Sequence, residues 1–279
     1  MNELPGRLRA DALTLGYDGT DIIRDLTLSV PDAKVTAVIG PNGCGKSTLL
    51  RGLGRLLAPR SGQVLLDGEP LARLSTRHIA TQLSVLPQTP SAPSGLTVAD
   101  LVSRGRHPRQ KWYQQFSPAD RTSVEAALAA TDILDLADKP VEDLSGGQRQ
   151  RAWISLTLAQ ETGILLLDEP TTYLDLAHQV EVLELIRRLN RELGRTVVMV
   201  LHDISLAARY SDHIVAMKGG RIVAQGHPAD VVTPGMLQEI FGLAAHVVEE
   251  PTDGRPHVIP LGTPVALSRS RRRQARQPA

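Results

Sequence analysis

The stretch KVTAVIGPNGCGKSTLLRGLGRLL, Lys34 to Leu57, decides how this chain folds. Lys34 to Gly40 is a short, continuous apolar run, the pattern of a buried strand. A glycine-rich loop follows, and from Lys46 to Leu57 apolar residues recur at helical spacing. Strand, loop and helix in that order form the setting in which GxxxxGK[ST] holds a phosphate. Gly40, Gly43 and Gly45 let backbone amides approach anionic oxygens, and Pro41, Asn42, Cys44 and Thr48 complete the loop. Lys46 can neutralise the β/γ oxygens of a nucleotide, and Ser47 can offer a hydroxyl to Mg²⁺.

Further along, DLSGGQRQRAWISL, Asp143 to Leu156, poses a question. Ser145, Gly146 and Gly147, followed by Gln148, lead into a second helical pattern. Free amides at the positive end of a helix dipole make such a start an anion site as well. One chain thus carries two helix starts suited to phosphate. ILLLDEP then places Asp168 and Glu169 at the end of a buried strand. There Asp168 could hold the magnesium shell, and Glu169 could orient or deprotonate a water.

The remaining sequence fits around these motifs. RLRADALTLGY and DLTLSV alternate as strands; GQVLLDG and QLSVLPQ are short strands cut by Gly and Pro. From about Pro90 to Ala159 the spacing turns helical in TVADLVSRG and SPADRTSVEAALAATDIL, where Ser117 with Asp120 reads as an N-cap. Strands return with GILLLDEP, RTVVMVLHD, HIVAMKGG and RIVAQG, and LAHQVEVLELIRRLNREL lies among them as a helix. The expectation is an α/β P-loop NTPase core with a mixed sheet and an inserted all-helical subdomain. The nucleotide-binding domain is expected over 7–262, with the subdomain over about 90–160 and a basic tail over 263–279.

Composition narrows the function. At 279 residues, 42% apolar and 22% charged, the chain is ordinary for a globular protein. Its apolar runs fall far short of the roughly 20 residues that cross a bilayer. MNELPGRLRADAL lacks the layout of a signal peptide, so a cytoplasmic location is expected. A single cysteine excludes an internal disulfide framework and a zinc ribbon. The net charge is +1, but the tail carries Arg269, Arg271, Arg272, Arg273 and Arg276, so the remainder sums to 1 − 5 = −4. That tail reads as a solvated end. Aromatics at 3% argue against base stacking, and no nucleic-acid partner is expected.

Phosphate loop, LSGGQ and LLLDEP, in that order, resemble an ATP-binding subunit of an ABC transporter over Arg7 to Leu261. The resemblance implies ATP as ligand and substrate, with Mg²⁺. It implies that Tyr17 stacks on adenine and that Gln88, in VLPQTP, contacts Mg²⁺ and water beside the permease. Asp175, ending TTYLD, takes the D-loop place, and Tyr173 stands there where a small residue is common. His202, in VLHD, matches the switch histidine at the γ-phosphate. It also answers the question of two anion sites. Subunits of this family pair head to tail, as homodimers or with a related ATPase subunit. Ser145 to Gln148 of one copy then face the ATP held by Lys46 of the other.

Several stretches are similar to the subgroup serving ferric siderophore, haem and vitamin B12 importers: GPNGCGKSTLL, GRHP with FSPAD, TTYLDLAHQ, HDISLAARYSDHIVAMKGGRIVAQGHP and VVTPGMLQEIFG. The resemblance implies an ATP hydrolase energising uptake of an Fe³⁺–siderophore. A separate integral membrane permease and a substrate-binding protein would complete the importer, with this chain peripheral on the cytoplasmic face of the membrane. Import of haem or cobalamin, an export ATPase with a separate permease, and a non-transport ABC ATPase in translation or DNA repair are the alternatives. Cys44 lies within the phosphate loop, so a maleimide is expected to block ATP there.

Overall fold

In a computed structural model of the chain, residues 6–110, 116–172 and 174–261 are described. Tyr173, the end of the expected domain at 262 and the basic tail lie outside the described residues.

The N-terminal strands β1 (Leu8–Tyr17) and β2 (Thr20–Ser29) pair antiparallel across a tight turn. β4 (Ser61–Leu66) and β5 (Glu69–Pro70) join them in a four-stranded antiparallel sheet of order β2-β1-β4-β5. The second sheet is the larger. β3 (Val35–Ile39), β6 (Leu83–Leu86), β7 (Ile164–Leu167), β8 (Thr196–Val200), β9 (His213–Lys218) and β10 (Arg221–Gly226) run in the order β10-β9-β3-β8-β7-β6. Its strands are parallel except for the edge strand β10, which makes it a mixed sheet.

The continuous apolar runs are explained by burial on both faces, as parallel sheets require. Ile164 and Leu166 of β7, with Val198 and Val200 of β8, pack toward the antiparallel sheet and helix α1 (Lys46–Leu53). Leu165, Leu167, Val197 and Met199 face the opposite core. Helices α5 (Gly146–Ala159), α6 (Leu176–Leu193) and α7 (Ile204–Tyr210) contribute to that second core. The helix expected over Lys46–Leu57 stops at Leu53, where Gly54 caps it.

Between β6 and β7 the regular elements of the described residues are helices. α2 (Thr76–Gln82) precedes β6, and α3 (Val98–Ser103) and α4 (Pro118–Ala130) pack with α5. Among the described residues of this insertion, the single β-bridge is Thr97 with Pro140. Thr97 with Asp100, Ser117 with Asp120 and Ser145 with Gln148 each form a reciprocal capping box, so α3, α4 and α5 start with satisfied donors. Beyond the sequence expectation, the chain adds a hairpin, β11 (Ala245–Glu249) with β12 (Pro256–Pro260), and β12 packs on α7.

Candidate functional site

The parallel register sets the carboxyl ends of β3, β8, β7 and β6 side by side: Val38 pairs with Val200, Leu167 with Met199, and Leu86 with Leu167. Loops leaving such ends are where open α/β sheets bind ligands. The phosphate loop leaves β3, Gln88 follows β6, Asp168 and Glu169 follow β7, and His202 follows β8. The phosphate loop, Gln88, Glu169 and His202 border a cavity of about 550 Å³, and Asp168 is tied to its wall through Ser47. Its walls include Tyr17, Asn42, Gly43, Gly45, Lys46, Ser47, Thr48, Gln88, Glu169 and His202. Elements far apart in sequence thus bring most of the expected residues to one place.

The loop is built for an anion. Gly45, the N-cap of α1, has φ +106, and a Cβ there would sit 2.6 Å from Ile23 Cδ1, so only glycine fits. Lys46 is buried, and its Nζ donates to the carbonyls of Gly40 at 2.8 Å and Pro41 at 3.1 Å. A cation held on carbonyl oxygens at a helix start is ready to turn toward phosphate. Ser47 Oγ donates to Asp168 Oδ1 at 2.8 Å. Burial pushes the Asp168 carboxyl up, with Ser47 opposing and Glu169 adding to it, so a nearby positive charge would be favoured. Hydroxyl, carboxylate and amide oxygens at Ser47, Asp168 and Gln88 are the donor types a hard cation takes. Among the described residues no cluster of three or more His, Cys, Asp or Glu could hold a metal. The donor types at Ser47, Asp168 and Gln88 fit a hard ion that takes further oxygens from nucleotide phosphates and water.

Glu169 is the convergence point. Its Oε2 accepts from Gln88 Nε2 at 2.7 Å and from Thr172 Oγ1 at 2.9 Å. Its Oε1 lies 2.8 Å from His202 Nε2. Burial alone would raise this carboxyl, yet hydrogen bonds from Thr172, His202 and Gln88 hold it below the ordinary range. The residue has φ +53, a left-handed conformation uncommon outside glycine. Gln88 and His202 were legible as motif positions; Thr172 was quoted within TTYLD without a role.

Tyr17 is 38% exposed at the cavity rim, and its hydroxyl accepts from Arg51 Nη1 at 3.2 Å. An open ring face suits stacking on a base. Cys44 departs from expectation. It is 5% exposed and packs in the core beneath the antiparallel sheet, so close to Gly40 that a Cβ there would be 2.7 Å from its Sγ. Its backbone belongs to the loop, but the thiol turns away from the cavity, and ready alkylation is not expected.

Ser145, Gly146, Gly147, Gln148 and Asp175 do not line this cavity. Ser145 Oγ accepts from Gln148 N at 3.3 Å, and Gln148 Oε1 accepts from Ser145 N at 3.1 Å. The first amides of α5, at Gly146 and Gly147, have no intrahelical acceptor. Asp175 caps α6 by accepting from His178 N at 3.0 Å, and its Oδ1 lies 2.6 Å from His178 Nδ1. The imidazole covers Gly147 so closely that a Cβ there would be 2.7 Å from His178 Cδ2. The D-loop position and the signature helix are thereby packed together within one copy.

The other end of α5 is anchored by arginines. Arg106 donates to Ala159 O at 2.7 Å, and Arg109 donates to Gln160 O at 3.0 Å and Glu161 O at 2.7 Å. Arg106, buried, also pairs with buried Asp120 and with Glu161, both at 2.9 Å. Cations at these terminal carbonyls complement the helix dipole.

A profile described as ABC transporter matches residues 23–172. The chain belongs to the ABC transporter family. It is 53% identical, over 91% of its length and 93% of the relative's, to the "Probable siderophore transport system ATP-binding protein YusV" of Bacillus subtilis. It is 48% identical, over 94% and 97%, to the "Ferric enterobactin transport ATP-binding protein FepC" of Escherichia coli. Among solved structures it resembles the dimeric post-hydrolysis state of the ATP-binding cassette MJ0796 bound to ADP and Pi. That match has TM-score 0.69 and 27% identity over 79% of this chain and 98% of the other. An ATP hydrolase of the ABC class is what the fold, motifs and family describe. Among the described residues no helix is long and apolar enough to cross a membrane.

Proposed function

We propose that this chain is the ATP-hydrolysing subunit of an importer for ferric siderophores, working through a separate integral membrane permease. The observation that carries the cargo is the identity of 53% and 48% to siderophore-transport ATPases, over 91% and 94% of this chain. The nucleotide-binding domain spans 7–262 with its helical subdomain over about 90–160, and residues 263–279 form the basic tail. The subunit sits on the cytoplasmic face of the membrane, and a substrate-binding protein delivers the cargo to the permease.

In this reading Gly40 to Thr48 cradle the phosphates, Lys46 turns from its carbonyls to the β/γ oxygens, and Tyr17 stacks on adenine. Ser47, Asp168 and Gln88 would hold Mg²⁺, which when bound supplies positive charge against the phosphate oxygens. Glu169 accepts a proton from the attacking water. As the water oxygen bonds to the γ-phosphorus, the bond to the oxygen leaving with ADP breaks. His202 senses the γ-phosphate. A second copy, or a related subunit, closes the site with Ser145, Gly146, Gly147 and Gln148, and Asp175 lies at that junction. ATP thus favours the closed pair and ADP the open one, a population shift driven by differential contacts.

Uptake of radio-iron by iron-starved cells carrying Lys46→Ala tests this. Loss of uptake for at least one ferric siderophore is expected. Unchanged uptake of every siderophore tried, with haem or cobalamin uptake falling, would move the cargo within the subgroup. No change in any of the three would overturn the importer reading.

A further inference from the structure

Among the described residues the Glu169 carboxylate has three side-chain partners, and they differ in where they are anchored. Gln88 follows β6 and His202 follows β8, on strands flanking β7. Thr172 instead sits in the same turn as Glu169: its backbone N–H donates to Glu169 O at 3.3 Å while its Oγ1 donates to Oε2 at 2.9 Å. Backbone and side chain of Thr172 therefore close a ring around Glu169, whose φ of +53 the turn must hold. Gln88 and His202 have other tasks in the proposed cycle, at the metal and at the γ-phosphate. When they turn to those tasks, Thr172 is the partner whose position cannot drift from Glu169.

We infer that Thr172 is a positioning residue that fixes Oε2 of Glu169 through the reaction, leaving Oε1, the oxygen now facing His202, to take the proton of the attacking water. The inference rests on Glu169 being the general base. A carboxylate free to rotate about its last torsion would present the accepting oxygen only part of the time, because terminal sp³–sp² torsions are broad. Thr172 lines the same cavity, but among the described residues both of its hydrogen bonds go to Glu169 and none to the phosphate loop, so the effect falls on the chemical step more than on ATP binding.

Three variants of the full chain test this together: Thr172→Val, Thr172→Ser and Glu169→Gln. In Thr172→Val, kcat for ATP is expected to fall about tenfold, the scale of one lost charge-assisted hydrogen bond. Its KM and its affinity for a fluorescent ATP analogue should change far less than kcat, because the phosphate loop keeps its own hydrogen bonds. The ATP-bound dimer should also persist longer on gel filtration. Thr172→Ser keeps the hydroxyl and should restore both turnover and dimer lifetime. Glu169→Gln should lose about 10²–10⁴-fold. If Glu169→Gln is impaired as expected while Thr172→Val turns over normally, the Thr172 inference fails alone. If Thr172→Ser is as slow as Thr172→Val, or nucleotide affinity falls along with kcat, Thr172 acts through packing and the inference is overturned. Near-normal turnover in Glu169→Gln overturns the reading of the base itself.

Discussion

At the cavity, Lys46, Ser47, Asp168 and Glu169 arrive from neighbouring strand ends and already hydrogen-bond to the surrounding loops. At the start of α5, among the described residues, the side chains of Ser145 and Gln148 bond only to each other's backbone, and Gly146 is exposed. Both places offer the positive end of a helix, which suits an anion such as phosphate. In the proposed cycle the first would supply cation, metal ligands and base from one chain, whereas the second would supply amides, a hydroxyl and a dipole. In the proposed reading the second is a half-site, completed by the subunit that brings the other half. The reciprocal cap also shows how α5 can present its amides while staying stable in a lone subunit.

The sharpest way to break this contrast is Ser145→Arg. It should remove steady-state ATP hydrolysis altogether, yet leave the affinity of the lone subunit for ATP unchanged, because Ser145 does not line the cavity. Equilibrium binding of a fluorescent ATP analogue at low protein concentration, set beside turnover at high concentration, separates the two. Equal loss of both would place the signature helix in the subunit's own site.

A somewhat smaller effect is expected at the far end of the same helix. Arg106→Met keeps the aliphatic stem but leaves Asp120 buried without its partner. Breaking a buried pair from one side costs about 3–5 kcal/mol, read as a lower urea midpoint. Burial alone would push Asp120 up, but the Ser117 amide, Arg106 and the Ser117 hydroxyl bring it below the ordinary carboxylate range, and Glu161 is lowered against burial in the same way. For carboxyls lowered by folding, the stabilisation is full above their unfolded values and is lost as pH falls through the folded ones. The gap between native protein and Arg106→Met should therefore shrink on acidification below the ordinary carboxylate range. A constant gap would mean that packing of the stem, and not charge, holds α5.

These residues also show what could be read in the sequence. The phosphate loop, LSGGQ and LLLDEP carried the fold and most of the cavity, because each motif is local and its strand or helix context is visible nearby. GRHP and FSPAD were legible only as subgroup likenesses. Their physical sense, Arg106 of one bonded to Asp120 of the other, needs α4 folded back beside the end of α5. Thr172 escaped for the same reason in miniature: a threonine three residues after a glutamate is unremarkable until a turn brings hydroxyl to carboxylate. The antiparallel sheet was read as separate strands without its order. The hairpin β11–β12 went unread, since HVV and HVIP are short and their pairing is set by the packing of β12 on α7.

Cys44 gives the smallest and most local test of where the phosphate loop ends and the core begins. By sequence it belongs to the loop, and its alkylation was expected to block ATP. By packing it belongs to the apolar cluster formed with Ile23, Leu49 and Met217. Burial pushes its thiol up, and the neighbouring Lys46, which favours the thiolate, only partly offsets this. Few molecules then carry thiolate near neutral pH, and fewer expose it. Intact-mass measurement should find maleimide addition slow at neutral pH, faster as pH rises, and slower again with ATP bound, since nucleotide tightens the loop that must open. Cys44→Ala should bind and hydrolyse ATP nearly as the native chain does, because a small apolar side chain fills most of the same space. Rapid stoichiometric labelling at neutral pH would put the thiol back in the cavity wall, and with it the boundary between the two regions.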